Sequence, residues 1–292
     1  DPNTSATAED ICARSQASRY CPGAVASQSC IPIICSLMNL LPLASFNDNY
    51  IWMLHDGKRA LVVDPGDAQV VFTELQRLGV KLEAILVTHH HTDHTGGVAE
   101  LRDATGAAVY GPARERMPEP IERVGQGDTV DVIGLQASVL DVPGHTAGHI
   151  AYVIQPTGED PILFCGDTLF SAGCGRLFEG TPAQMLASLT SLMALPDATR
   201  VCCAHEYTAS GLEFARTVEP SNQDIVSLQA RVLSLRAQNL PTLPSTLGLE
   251  KAINPFLRTH TPAVIASVRE FDPSATDPVR VFAALRTWKN QF

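Results

Sequence analysis

The sequence predicts an α+β fold, and three observations predict it. Residues 38–208 alternate short apolar strands with helices. Residues 209–292 carry apolar positions at helical spacing. Polar residues of metal-ligating type stand where several of the strands end. With 292 residues, 45% of them apolar and 18% charged, the chain can bury a large core, and its composition is not that of a disordered protein.

Residues 40–43, 50–54 and 60–63 read as strands, with Asp56-Gly57 as a hairpin turn between the last two. Asp67 can cap a helix that runs to Leu78 and that Gly79 stops. Residues 84–87 form a strand whose end runs into Thr88-His89-His90-His91, and a helix is expected from His94 to Ala104. Strands follow at 108–110, 128–133, 136–141, 151–154 and 162–165; Pro182 opens a helix, and 201–203 is a buried strand. Helices dominate from Glu206 onward, where Leu228, Val232 and Leu235 fall on one helical face. Residues 1–37 differ: they are rich in Ser, Ala and Cys and have no steady apolar period. They read as an extension of unknown role, expected to be disordered, with a targeting segment as the alternative. The expected organisation is this extension, a catalytic domain over 38–208 and a helical C-terminal domain over 209–292.

Charge and cysteine usage narrow the partners. The 21 basic and 31 acidic residues give a net charge of −10, which argues against a nucleic-acid binder. The apolar stretch 31–43 is interrupted by Pro32, Asn39 and Pro42 and is too short to cross a bilayer, so no membrane partner is expected. Cys12, Cys21, Cys30 and Cys35 lie in the extension. Cys165, Cys174, Cys202 and Cys203 lie in the body without the paired spacing of a zinc ribbon. The body cysteines read as reduced thiols in a cytoplasmic monomer, an organelle being the alternative if residues 1–37 direct targeting.

The chemistry concentrates in His89-x-His91-x-Asp93-His94. Imidazoles and a carboxylate at a strand end suit Zn, Fe or Mn without any thiolate. His89 and His91 can point one way while Asp93 and His94 turn towards a second ion, and Gly96-Gly97 lets the backbone turn closely beneath them. A bare run of histidines is weak, but this one follows a buried strand and leads into Asp-His-Thr-Gly-Gly. His145, Asp167 and His205 each follow a strand as well. Singly, each reads as a turn cap or a buried hydrogen-bonding group. Together they supply two more imidazoles and a carboxylate able to bridge. No Gly-x-Ser-x-Gly elbow supports a serine hydrolase.

The string Thr88-His89-His90-His91-Thr92-Asp93-His94-Thr95-Gly96-Gly97 resembles the signature of the metallo-β-lactamase superfamily. Four later strings narrow the resemblance to the glyoxalase II (hydroxyacylglutathione hydrolase) family, in its bacterial branch. They are Pro143-Gly144-His145-Thr146-Ala147-Gly148-His149, Gly166-Asp167-Thr168-Leu169-Phe170, Gly173-Cys174-Gly175-Arg176-Leu177-Phe178-Glu179-Gly180 and His205-Glu206-Tyr207-Thr208. The resemblance covers residues 38–292. It implies a four-layer αβ/βα metallo-β-lactamase fold with a C-terminal helical domain that binds substrate. It implies two divalent metal ions, Zn first and Fe or Mn as alternatives. One would take His89, His91 and His145, the other Asp93, His94 and His205, with Asp167 between them.

The implied reaction is hydrolysis of S-(2-hydroxyacyl)glutathione, such as S-D-lactoylglutathione, to a 2-hydroxy acid and glutathione, the second step of methylglyoxal detoxification. A hydroxide shared by the two ions would attack the thioester, with Asp93 and Asp167 as the catalytic carboxylates. The glutathione thioester would be held by Arg176, Phe178, Tyr207, Arg286 and Lys289. Arg286 and Lys289 are three apart and would share a helix face, which on spacing alone reads as a solvated face. Eukaryotic members commonly have Lys and Tyr at positions 176 and 178; Arg176 keeps the charge, while Phe178 lacks the phenol hydroxyl. His90 and His149 are implied to lie behind the ligands, and His55 and His260 read as surface residues. The rival readings are another hydrolase of this fold, such as a lactonase, and a non-catalytic glutathione- or metal-binding homologue. A lactonase does not need Arg286 and Lys289, and a degenerate homologue usually lacks at least one ligand.

Overall fold

A computed structural model describes residues 38–292; the expected extension with Cys12, Cys21, Cys30 and Cys35 lies outside the described residues. Strands β1 (Asn39–Ser45), β2 (Asn49–His55), β3 (Arg59–Val63), β4 (Lys81–Leu86), β5 (Ala108–Pro112) and β6 (Glu122–Val124) lie side by side in that order. Pairing is antiparallel from β1 to β3 and parallel from β3 to β6. The second sheet starts with the antiparallel strands β7 (Thr129–Val132), β8 (Leu135–Asp141), β9 (Ile150–Ile154) and β10 (Ile162–Gly166). A short ribbon, β11 (Leu169–Phe170) and β12 (Gly173–Cys174), follows. The second sheet then resumes with β13 (Arg200–Cys203), parallel to β10, and β14 (Ser245–Thr246) at its edge.

The sheets share one apolar core, in which Trp52, Leu61 and Leu86 of the first pack with Val139, Tyr152 and Phe164 of the second. The other face of the first sheet carries α1 (Ala68–Leu78) and α3 (Val98–Thr105), whose Val71, Leu75, Val98 and Leu101 bury against Ile51, Met53, Val62 and Ile85. That explains why β2 is buried throughout and apolar from Tyr50 to Leu54: both of its faces are covered. Met185, Leu189 and Leu192 of α4 (Pro182–Leu192) join the main core. The remaining helices are α5 (Thr208–Val218), α6 (Gln223–Ala237), α7 (Leu247–Ile253), α8 (Pro262–Phe271) and α9 (Pro278–Gln291). The arrangement is the α+β, two-sheet sandwich with C-terminal helices that the sequence predicts.

Local signals account for the element ends. The Asp67 side chain accepts from the Gln69 amide at the start of α1, and Gly79 closes that helix at φ 66°. The helix expected from His94 to Ala104 is instead two pieces, α2 (Thr92–Thr95) and α3, broken at Gly96-Gly97. The break has a steric cause. A Cβ on Gly97 would lie 2.6 Å from the Ala68 nitrogen and 2.7 Å from the Pro65 oxygen, and one on Gly66 would lie 2.0 Å from the Asp93 oxygen. The loop carrying His89, His91, Asp93 and His94 is thus pressed backbone to backbone onto the connection between β3 and α1. His260 is exposed as expected, but His55 is not a surface residue. It is buried at the end of β2, where its Nδ1 accepts from the Gly57 amide at 3.1 Å.

The C-terminal helices are tied to the ribbon by buried polar groups. The Glu250 carboxylate accepts from the Ser171 hydroxyl and the Ala172 amide at 2.8 Å each, and from the Ser245 hydroxyl at 2.5 Å. Burial pushes its carboxyl above the usual range, and these donors oppose the shift. Asn254 Nδ2 donates to the Phe170 and Gly173 carbonyls at 3.1 and 2.9 Å. An Asn254→Ala chain leaves both carbonyls without that donor, so its stability is expected to drop by about 1–3 kcal/mol. Urea unfolding measures this, and an unchanged midpoint would mean the ribbon does not depend on the clamp.

Candidate metal centre

Strands of both sheets deliver the donors at their C-terminal ends. His89 and His91 leave β4, His145 follows β8, Asp167 follows β10 and His205 follows β13. His89 Nε2 and His145 Nε2 lie 3.0 and 3.1 Å from His91 Nδ1. Donors on a tetrahedral ion with bonds of ~2.0–2.1 Å are separated by roughly 3.3 Å, so these three nitrogens fit one ion. Asp93, His94 and His205 form a second group: Asp93 Oδ2 is 3.3 Å from His94 Nε2 and 3.6 Å from His205 Nε2. Asp167 stands between the two. Its Oδ2 lies 3.3 Å from His145 Nε2, while its Oδ1 lies 3.3 Å from His205 Nε2 and 3.5 Å from His94 Nε2. His94 Nε2 and Asp167 Oδ1 are buried without hydrogen-bond partners among the described residues, which is the condition of donors shaped for a cation.

The groups behind the ligands fix their orientation. His145 Nδ1 donates to the Arg176 carbonyl at 2.9 Å, leaving Nε2 as the free donor atom. His205 Nδ1 meets Asp48 at 2.8 Å, and Asn49 Nδ2 donates to Asp93 Oδ2 at 2.9 Å. His94 Nδ1 faces Asp64 at 3.1 Å, an ion-pair distance without hydrogen-bond alignment, and Asp64 also accepts from the Thr88 amide and hydroxyl. His149 stacks on His89 at 4.6 Å and its Nε2 accepts from the Asp167 amide at 3.1 Å. Asp48, Asn49, Asp64, Glu115 and Glu179 are polar supports that the sequence reading did not single out. Asp64 was accessible by the rule that exposed the ligands, since it directly follows β3. Nothing in the sequence pattern marks Glu115.

A cleft of about 570 Å³ opens from His145 and Asp167 and is lined by Phe170, Cys174, Arg176, Phe178, Tyr207, Arg286, Lys289 and Phe292. All five residues implied for substrate therefore border one cavity. Tyr207 stacks on His205 at 4.8 Å, and Phe178 turns its ring edge-on to His145 at 5.2 Å. Arg286 is not on a solvated face: it is 7% exposed, and its Nη1 donates to the Cys174 carbonyl at 2.8 Å. Lys289 Nζ donates to the Ser210 carbonyl at 2.8 Å, and burial, then the Arg286 charge, lower its pKa. Cys165, Cys174, Cys202 and Cys203 are buried free thiols.

Fold and donor set together define a metallo-β-lactamase-fold protein with a dinuclear metal site. Comparison with known proteins sharpens this. The family profile described as "Metallo-beta-lactamase superfamily" matches residues 45–205, and the one described as "Hydroxyacylglutathione hydrolase C-terminus" matches residues 206–292. The chain is 64% identical over 255 residues to a protein of Albidiferax ferrireducens named hydroxyacylglutathione hydrolase, covering 87% of this chain and 100% of that one. It is 54% identical to the protein of that name from Methylobacillus flagellatus, covering 88% and 100%. Among solved structures it is similar to ETHE1 from Myxococcus xanthus (TM-score 0.58, 25% identity, covering 87% of this chain and 98% of that one). It is also similar to TTHA1623 in a di-iron-bound form (TM-score 0.52, 28% identity, covering 75% and 100%). The chain belongs to the hydroxyacylglutathione hydrolase family.

The two groups of donors differ in proton affinity in the metal-free protein. Burial lowers the pKa of His89, His91 and His145, assisted by neighbouring imidazoles. Burial acts the same way on His94 and His205, but the carboxylates outweigh it and raise both: chiefly Asp167 and Asp64 at His94, and Asp167 and Asp48 at His205. The first trio therefore holds protons more weakly than His94 and His205 do. Metal affinity at Asp93-His94-His205 is therefore expected to weaken as pH falls through those raised values, while the His89-His91-His145 group holds its affinity to lower pH. Calorimetric titration in buffers of different ionisation heat checks this. Equal proton release for both ions counts against the assignment.

Proposed function

We propose that the chain hydrolyses S-(2-hydroxyacyl)glutathione thioesters, with S-D-lactoylglutathione as the reference substrate. One observation carries the reading: a single cleft bordered by His145 and Asp167 is also lined by Arg176, Tyr207, Arg286 and Lys289. A glutathione thioester has the matching polarity, with a reactive carbonyl at one end and peptide carboxylates at the other.

We assign His89, His91 and His145 to one ion, Asp93, His94 and His205 to the other, and Asp167 to both. The donors are imidazole nitrogens and carboxylate oxygens without thiolate, which suits zinc first. Iron is the second reading, favoured by the di-iron form of the similar TTHA1623. When bound, such an ion pair supplies water deprotonated near neutral pH and polarises the thioester carbonyl.

The chain's own residues do the rest. Asp93 is held ionised chiefly by His94, whose Nε2 lies 3.3 Å from its carboxylate, and the Asn49 amide fixes its orientation. Tyr207 keeps its phenolic proton, since burial and then the Asp48 charge push its pKa to about 12; it is a hydrogen-bond donor to substrate. Arg176, exposed at the cleft, pairs with a glutathione carboxylate, and the Phe178 ring shields the His91 and His145 side from water. Arg286, buried at the cleft wall with its Nη1 on the Cys174 carbonyl, is assigned to the positive charge that a glutathione carboxylate meets there.

No described helix is long and apolar enough to cross a membrane. The buried unpaired cysteines suit a reducing compartment, and every assigned residue comes from one chain, so we place the enzyme in the cytoplasm as a monomer.

The purified protein is expected to hold two metal ions and to release glutathione from S-D-lactoylglutathione in a thiol assay; opening a lactone while leaving the thioester intact would falsify the substrate assignment. Arg176→Ala and Lys289→Ala are expected to raise KM roughly tenfold with kcat little changed. Arg286→Ala is expected to raise KM and also to lower thermal stability, because the guanidinium holds the Cys174 carbonyl. Asp167→Ala is expected to lose metal and activity together.

A further inference from the structure

The middle histidine of the ligand loop belongs to neither donor group, yet it is not idle. His90 Nδ1 lies 2.9 Å from Glu115 Oε2, and Nε2 lies 3.6 Å from Glu179 Oε1. Glu115 comes from the turn after β5, with its side chain only 2% exposed. Its other oxygen accepts from the Thr146 hydroxyl and, at 3.1 Å, from the Gly148 amide. Arg123 Nη1 donates to the Glu115 carbonyl at 2.9 Å and so pins the turn that presents the carboxylate. Glu179 Oε2 accepts from the Ala147 amide at 2.7 Å, and the Phe178 and Glu179 amides donate to the His145 carbonyl at 3.2 and 3.4 Å. One buried carboxylate therefore touches the loop that holds His89 and His91 and the loop that holds His145.

His90, Glu115 and Glu179 have the composition of a third cation site, but their geometry argues otherwise. The two carboxylates face different nitrogens of the imidazole, whose lone-pair directions diverge. One ion can meet Nδ1 or Nε2, not both. Moreover, all three close partners of Glu115 present hydrogens to it, which is the pattern of an acceptor used as a strut.

We propose that Glu115, acting through His90 and Thr146, is a positioning residue that sets the spacing of the three imidazoles of the first metal group and thereby the affinity of that ion. The proposal rests on the ligand assignment made above. Glu115 touches neither the assigned donors nor the substrate cleft. Its effect passes through the rigid distance between two loops, in the way outer hydrogen-bond partners tune metal ligands generally.

Metal-free wild type and variants are titrated with zinc against a chromophoric chelator to give stepwise dissociation constants. Their metal-free melting temperatures are recorded alongside. Glu115→Gln removes the charge of the strut and leaves an amide NH2 that can bond His90 Nδ1 only after the imidazole changes tautomer, and the first dissociation constant is expected to rise roughly 10–100-fold, with the second changed much less. His90→Ala removes one arm and is expected to weaken the first ion as well. His90→Asn, whose amide nitrogen can take the place of Nδ1, is expected to restore most of the affinity. His90 is partly exposed, so these two variants remain informative if Glu115→Gln folds poorly. Unchanged first-ion affinity in Glu115→Gln and His90→Ala overturns the proposal. So does equal weakening of both ions with a lowered melting temperature, or a third bound ion that His90→Ala removes. A wild-type protein that binds fewer than two ions overturns the ligand assignment itself, an outcome visible before any variant is compared.

Discussion

Asp167 is the constraint on which the centre is built. Burial opposes its charge, but His94, His205 and His145 surround it and hold its carboxyl far below the ordinary range. Each oxygen faces a different donor group, so the carboxylate is both the electrostatic partner of the imidazoles and the spacer between them. The second sheet exists in this form to place it. Gly166, just before it, takes φ 49°, and the register between β10 and β13 shifts between Phe164 and Gly166. Because β10 and β13 run parallel, their C-terminal ends emerge on the same side, and Asp167 and His205 meet there. Without its negative charge, His94 would keep Asp64 and Asp93 as carboxylate partners and His205 would keep Asp48 and Asp93, but nothing would tie the two groups of imidazoles together.

Sheets and ligands were legible in the sequence for the same reason: both follow from short-range patterns. Apolar runs ended by Gly, Asp or His mark a strand and what it delivers, and His89, His145, Asp167 and His205 all carry that mark. The legible part stops where contact between distant segments decides. The expected helix from His94 to Ala104 is broken by backbone packing against Gly66 and Pro65, which no local propensity reveals. Strands β6, β11, β12 and β14 are too short to show a period; β6 and β14 add to the edges of the two sheets, and β11 and β12 pair with each other. His55 looks like a surface residue beside Asp56-Gly57, yet the turn folds back and covers it. Asp48, Asn49 and Glu115 act across the fold, at sequence separations that spacing rules do not reach.

The cleft gathers cationic side chains in an acidic protein. Its cations are few and placed by packing. Arg286 lies over the Phe256 ring at 5.1 Å and Lys289 over the Phe214 ring at 5.3 Å, so aromatic faces and backbone carbonyls hold both side chains extended before any substrate arrives. Ordering them in advance lowers the entropy lost on binding. The same packing makes α9 part of the structural support of the ribbon next to Asp167, so binding and metal-holding functions share one set of contacts.

Strand β14 has a consequence for how the polypeptide comes apart. It lies within the C-terminal helical stretch, yet it hydrogen-bonds alongside Arg200 and Val201 on the strand that delivers His205. Severing the backbone between the sandwich and the helices would cut a covalent link while leaving a borrowed edge in place. The second sheet lacks its edge strand without the helical stretch. The helical stretch is thereby joined to the strand that precedes His205 by hydrogen bonds as well as by the chain itself.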